Sequence, residues 1–357
     1  MVHGRDKHHF FFGLPRDIDG RSSFRMLCFT DASNFRKGTF FSSVCLLFSS
    51  TEEPPVTIIE LCTTFSNDDL CRELLERLRW PNSPECPRCH GSVSRLANTP
   101  RILYCKDCDY QFTVTANSIF HDSHLPLIKW FTAVYLMCEA KKGMSAMQLK
   151  RMLWEPNKGS YKTAWYLCHR IRAAMATAEK TMLYGTVEMD ETYVGGKMRG
   201  KHWKRVENNT KQVVIGIKQR NGDLRFFHAE DAKQGTLAQY IKDHVSQDVD
   251  VIMTDDLPAY PGAIDLAGQG RKIHKTVNHT AKVYVDGDIT TNGIESAFSL
   301  LKRGIIGSWH KVSAKHLEAY LEEMTFRFNR RNSKTLFLDT LRHMVTADPL
   351  TFERLTA

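Results

Sequence analysis

Apolar and polar positions fall into three textures along the chain. Residues 1–54 keep neither a helical nor a strand period, and they end at a break, Glu53-Pro54-Pro55. This stretch reads as a disordered extension, or as translated sequence ahead of a start near Val56. From Thr57 a helical period sets in. Ser66-Asn67-Asp68-Asp69 offers capping oxygens ahead of Leu70, Leu74, Leu75 and Leu78, which predicts a helix running toward Trp80. Leu125–Glu139 brings Leu127, Trp130, Phe131, Val134 and Tyr135 to one face of a second. Ser145–Leu153 is predicted as a short helix, followed by a loop through Pro156 and Gly159 and an amphipathic helix over Tyr161–Ala178. Three helices with a basic third member suit a helix-turn-helix, with Lys162, His169, Arg170 and Arg172 as candidate DNA contacts. A plain helical bundle is the alternative.

Beyond Gly185 the period becomes that of strands. Thr186–Asp190, Gln212–Lys218 and Leu224–His228 are the first three, the last two joined by the hairpin signal Asn221-Gly222. Thr236–Val245 reads as a helix, Asp250–Asp255 as a buried strand, Lys275–Asn278 as a fifth strand and Asn292–Asn332 as a long helical region. The order βββαβ followed by helices predicts an RNase H-like α/β domain.

The cysteines add a second kind of information. Cys86-Pro-Arg-Cys89 and Cys105-Lys-Asp-Cys108 are separated by fifteen residues, the pattern of a four-thiolate structural zinc ribbon. Such a site is closed and has no hydrolytic role. The other six cysteines follow no pattern, which argues against a disulfide framework. Tyr104 and Phe112 are the expected packing of the ribbon's small sheet.

A length of 357 residues, 42% hydrophobic and 25% charged, suits two or three globular domains and excludes wholesale disorder and collagen-like sequence. No apolar run reaches the ~18 residues of a spanning helix, so no membrane partner is expected. The net charge of +9 is unevenly spread: 141–172 carries +7, 197–220 carries +7 and 299–334 carries +5, leaving −10 for the remainder. Clusters of that kind suit a phosphate backbone.

Two predicted strands close on acids, Asp190 and Asp255; Glu191 and Asp256 stand beside them and are set aside. Carboxylates at neighbouring strand ends can share Mg2+, and a pair of such ions supports phosphoryl transfer. On the helix that follows, Asn292, Glu295, Ser299 and Lys302 share a face, and Ile294, Ala297, Phe298 and Leu301 take another. A metal-binding oxygen two turns from a lysine makes sense if the lysine touches the phosphate.

These motifs resemble a family. Asp190-Glu-Thr-Tyr-Val-Gly-Gly-Lys197, Thr254-Asp255 with Tyr260, Thr291-Asn-Gly-Ile-Glu295 and Leu300-Leu-Lys-Arg-Gly-Ile-Ile-Gly307 are similar to the transposases of ISXO-type insertion sequences, relatives of the Merlin elements. His310-Lys-Val-Ser313, Phe326-Arg-Phe-Asn-Arg-Arg331 and Arg79-Trp80-Pro81 continue the match, so the resemblance spans about Thr57 to Arg331. Two positions depart from it: Thr290 stands where the family commonly has His, and Ala297-Phe298 where it has an aromatic pair.

The resemblance implies a DDE-type RNase H-like core, dependence on Mg2+ or Mn2+, and DNA transposition. Asp190 and Asp255 become the first two catalytic acids, with Asn292 or Glu295 as the third position. Lys302, Lys162, Arg170, Arg172 and Lys197 are the candidate phosphate contacts, and Cys86, Cys89, Cys105 and Cys108 the zinc ligands. The expected partners are the element's terminal inverted repeats and target DNA, within a homodimer or larger synaptic complex. A prokaryotic host implies a nucleoid-associated cytoplasmic protein, a eukaryotic host a nuclear one. The expected layout is an extension over 1–55, leading helix and ribbon over 56–120, helix-turn-helix-like region over 121–182, catalytic domain over 183–335 and tail over 336–357. An inactive DNA-binding derivative and a structure-specific nuclease without strand transfer are the alternatives.

Overall fold

A computed structural model describes residues 57–176, 180–195, 211–277 and 290–357, all within the second of the chain's two units. The extension 1–55 and Lys197 lie outside the described residues.

The first helices begin where the sequence supplies caps. At α1 (Ile58–Thr64) Thr57 and Glu60 exchange a capping box. At α2 (Asp68–Arg79) the Asn67 side chain accepts the Asp69 and Leu70 N–H groups. The ribbon follows as an antiparallel sheet of β1 (Val93–Leu96), β2 (Thr99–Cys105) and β3 (Gln111–Phe112). Leu103, paired with Phe112, packs its interior, whereas the expected Tyr104 faces outward and bonds to Asp109. Period-two alternation along β2 sends these neighbours to opposite faces.

A helical layer is built from α2, α3 (Leu127–Glu139), α4 (Ala146–Leu153) and α5 (Tyr161–Ala176). Trp130, Phe131 and Val134 of α3 are fully buried in its core, and Leu127 and Tyr135 flank them half-buried. Residues after 335 are more than a tail. They form two further helices, α10 (Leu336–Thr346) and α11 (Phe352–Thr356), and Phe337, Leu338, Leu341, Met344 and Val345 complete this same core.

The other layer is a mixed five-stranded sheet. Its strands are β4 (Thr186–Val194), β5 (Gln212–Gln219), β6 (Leu224–Ala229), β7 (Val251–Thr254) and β8 (His274–Thr276), in the order β6-β5-β4-β7-β8. The β4–β5 and β5–β6 pairs are antiparallel, while β4–β7 and β7–β8 are parallel. Asn221, at φ 59°, makes the β5–β6 turn that Asn-Gly predicts. On one face Val187, Met189, Val213, Ile215 and Ile217 pack against α6 (Gln234–His244) and α7 (Ala259–Leu266). On the other, Val194, Val214 and Phe226 meet α8 (Asn292–Gly304) and α9 (Ala314–Asn329).

Two boundaries differ from the sequence reading by more than two residues. β4 runs past Asp190 to Val194, because β5 pairs with it along its whole length; β7 pairs with it only as far as Glu188. The long helical region over 292–332 is broken. A π-turn at Ile305–Trp309 and a positive φ of 60° at His310 end α8 before α9 begins. The cause is tertiary: the Trp309 Nε1–H donates to the Met144 carbonyl at 3.2 Å, and its ring lies over Gly143.

Candidate active site and metal centres

Asp190 lies just beyond the end of the β4–β7 ladder, and Asp255 is the first residue after β7. Parallel pairing therefore brings these acids together, with Glu191 beside them. One carboxylate oxygen from each of Asp190, Glu191 and Asp255 lies within 4.8 Å of the others. Asp190 shares the α8 face of β4 with Glu188 and Val194; Glu191 points to the α7 side, where the Tyr260 hydroxyl donates to its Oε2 at 2.8 Å. The Glu191 N–H donates to Asp190 Oδ1 at 2.8 Å and the Leu257 N–H to Asp255 Oδ1 at 3.1 Å. Glu191, set aside in the sequence reading, thus lies within the cluster.

The electrostatics are those of crowded acids. Burial, then the charges of Glu191, Asp255 and Glu295, push the Asp190 carboxyl up to about 7. Burial also raises Glu191, against the opposing hydrogen bond from Tyr260. The donor set suits a hard divalent cation, which would relieve this repulsion.

The third wall is α8. Asp190, Glu191, Glu295, Ser299, Lys302 and Arg303 line one cleft of about 440 Å³. The Thr291 hydroxyl donates to Glu295 Oε1 at 3.0 Å, which orients that carboxylate. Asn292 is exposed and does not line the cleft.

Three residues absent from the sequence reading hold α8 in place. Gly216 lies opposite Asp190 on β5, where a Cβ would come within 2.7 Å of both Ile294 and Phe298. Buried Glu188 accepts the Ile294 N–H at 2.9 Å, and Arg220 bridges Glu188 (3.5 Å) to the Thr290 carbonyl (3.3 Å). Only Glu188 carried a signal: an acid on an inward-facing position two residues before Asp190. The departures at Ala297 and Phe298 are core residues, and Phe298 stacks on Phe226 with centroids 5.1 Å apart.

The helical candidates divide. Lys162 is exposed, with its ammonium over the Phe352 ring. His169, Arg170 and Arg172 are buried, and this corrects their reading as DNA contacts. Arg172 pairs with Glu323 of α9 at 2.7 Å, and Arg170 donates to the His121 carbonyl at 2.5 Å. A buried guanidinium spent on such partners cannot also meet a phosphate.

In the ribbon, Cys86 and Cys108 lie 3.6 Å apart, and Cys89 is 3.4 Å from both Cys105 and Cys108. Four thiolates on a tetrahedron with Zn–S of about 2.3 Å would be about 3.8 Å apart, so the set fits zinc with a small expansion. His90 and Asp109, each following the second cysteine of its pair, take matching left-handed φ values of 58° and 54° that turn both knuckles the same way.

Residues 182–329 match the ISXO2-like transposase domain, and residues 66–111 match the transposase zinc-ribbon domain. The chain therefore carries a transposase-type α/β domain with a transposase zinc-ribbon domain ahead of it. Over these two segments it is similar to the ISXO-type insertion-sequence transposases, as its motifs indicated. It is also 27% identical over 282 residues to an uncharacterized protein in transposable element ISH50 of Halobacterium salinarum, covering 74% of this chain and 92% of that one. Among the described residues no helix is long and apolar enough to cross a membrane.

Proposed function

We propose that the protein is a DNA transposase with a DDE-type, RNase H-like core that cuts and rejoins DNA strands at the ends of an insertion sequence. One observation carries the reading. Carboxylates distant in sequence converge at the end of β7, opposite Glu295 and Lys302, inside the segment that matches the transposase domain. The sheet order, with its central β4 flanked by one antiparallel and one parallel neighbour, supports the RNase H-like assignment.

Asp190, Asp255 and Glu295 would hold Mg2+ or Mn2+, with Glu191 beside them and Asn292 as the weaker candidate for the third position. Bound there, the metal supplies positive charge to the attacking and leaving oxygens of an in-line displacement. Tyr260 keeps Glu191 oriented. Lys302 and Arg303, on the far wall, set cations against the phosphate's non-bridging oxygens. Water first attacks the phosphodiester, giving a 5′-phosphate and a free 3′-hydroxyl. That hydroxyl then loses its proton and attacks a target phosphodiester, whose 3′-oxygen leaves and takes up a proton.

The ribbon and helical layer would bind the terminal inverted repeats. With Arg170 and Arg172 buried, any helix-turn-helix contact falls to exposed side chains such as Lys162. Joining two ends to one target requires them in one assembly, hence a homodimer or larger complex. The test is the purified chain with labelled element ends, target DNA and Mg2+ or Mn2+, scored for cleaved and joined product. Cleavage without joining favours the nuclease reading, and binding without cleavage the inactive DNA-binding derivative.

A further inference from the structure

The α8 helix has a second polar side. Beside the carboxylate cleft, one position further round the helix, Ser296, Leu300 and Arg303 line another cleft, of about 570 Å³, closed by the α3–α4 loop and the end of α9. Lys141, Arg303, Arg327 and Arg331 surround it, against a single acid, Glu139, among its described lining residues. Arg303 lines both clefts, so they meet across one side chain.

The floor carries an imbalance of charge. Glu323, fully buried, is shared between Arg172 at 2.7 Å and Arg327 at 3.1 Å, two guanidiniums for one carboxylate. Arg327 is 4% exposed, and its Nε finds no hydrogen-bond partner. In a low-dielectric setting that surplus is felt at the cleft above it. The rim is well anchored. Arg331 lies over the Phe328 ring and donates to the Phe328 carbonyl, and the loop bearing Lys141 is pinned by Trp309.

We propose that this second cleft binds the phosphate backbone of the DNA strand adjoining the reactive phosphate, with Lys141, Arg303 and Arg331 as its contacts. The proposal rests on the transposase reading for the identity of the ligand. It places the strand across α8, from the carboxylate cleft over Arg303 to the α9 end. Arg327 takes no direct contact; its charge biases the site from beneath. Phosphate recognition there is indifferent to base sequence.

The experiment uses the full chain with zinc retained and no added divalent metal, titrated with a labelled random-sequence duplex at several salt concentrations. Combined Lys141→Gln, Arg303→Gln and Arg331→Gln should make the slope of log K against log salt shallower by about 2.7, at about 0.9 per contact. Each single variant, exposed and outside the cores, should account for about a third of that loss. A control with Lys233→Gln, Lys242→Gln and Lys272→Gln, all exposed and outside the ribbon and helical layer, removes the same charge elsewhere and should leave the slope nearly unchanged. An unchanged slope in the cleft variants, or an equal loss in the control, overturns the proposal. Cleavage is scored separately: a parent that binds steeply but never cuts sinks the transposase reading, whereas a cutting parent with a salt-indifferent cleft sinks this one.

Discussion

Glu295 points into the cleft that holds Asp190, while Asn292, one turn earlier, is exposed outside its lining. A carboxylate also holds a cation by charge, which an amide cannot. Glu295→Gln should therefore lower strand cleavage by about a hundredfold or more, and Asn292→Ala by less than about tenfold, a gap of at least ~1.4 kcal/mol in barrier. Asp190→Asn and Asp255→Asn should abolish cleavage and leave DNA binding equal or tighter, since each removes repulsion with phosphate. Gel assays of cleavage and binding on the four variants check this, and near-normal cleavage by Glu295→Gln would reverse the assignment. At this scale the sequence was readable where chemistry is local. Each cysteine pair spans one knuckle, and Asp255 directly closes an apolar run. It was unreadable where a partner is distant: Glu191 owes its place partly to Tyr260, 69 positions on, and buried Arg172 to Glu323, 151 positions on. Charge was taken there for exposure.

Elements settle how accurately α8 presents its residues. Its first turn is tied to the sheet by Glu188, and a Cβ at Gly293 would lie 2.5 Å from Glu188 Oε2. Gly293→Ala should therefore displace the helix start and cut cleavage by about tenfold or more, while zinc content and ribbon structure stay unchanged. The α5–α9 contact is held differently, by the buried Arg172–Glu323 pair. Arg172→Met leaves Glu323 still paired with Arg327, so the loss is that of one charge-assisted hydrogen bond and should lower stability by about 1.5–3 kcal/mol in denaturant titrations. The salt dependence of DNA binding should not change, which separates this core role from a phosphate contact. Helix and strand identities were largely legible because caps, periodicity and Asn-Gly are local signals. The end of α8 was not, since it is fixed by Trp309 docking on Gly143 and Met144 rather than by a breaker residue at that point.

For the whole molecule, the two layers and the ribbon differ in what keeps them folded. The sheet has apolar cores on both faces, and neither includes a ribbon residue. The ribbon's own core is only Cys86, Leu103, Cys105, Phe112 and Ala116, with Trp80, Val93 and Tyr110 at its edge. Five buried residues, two of them cysteines, cannot offset the entropy of ordering such a loop-rich segment, so metal ligation must contribute folding energy. The native chain should hold one zinc, and Cys105→Ser should lose it. The ribbon should then become protease-sensitive between Cys86 and Phe112, while the sheet keeps its cooperative unfolding transition. Its connections to the helical layer set how far the damage spreads. Arg79 donates to the Val114 and Ala116 carbonyls, Arg95 pairs with Glu76, and Trp80 meets Phe112 edge-on. Loss of the ribbon frees all of these, so α2 should loosen with it and protection of Leu74 and Leu75 amides should fall first. Metal analysis of the freshly purified protein, with hydrogen exchange on the Cys105→Ser variant, is decisive: a zinc-free native chain, or a sheet that unfolds along with the ribbon, would contradict this division of stability.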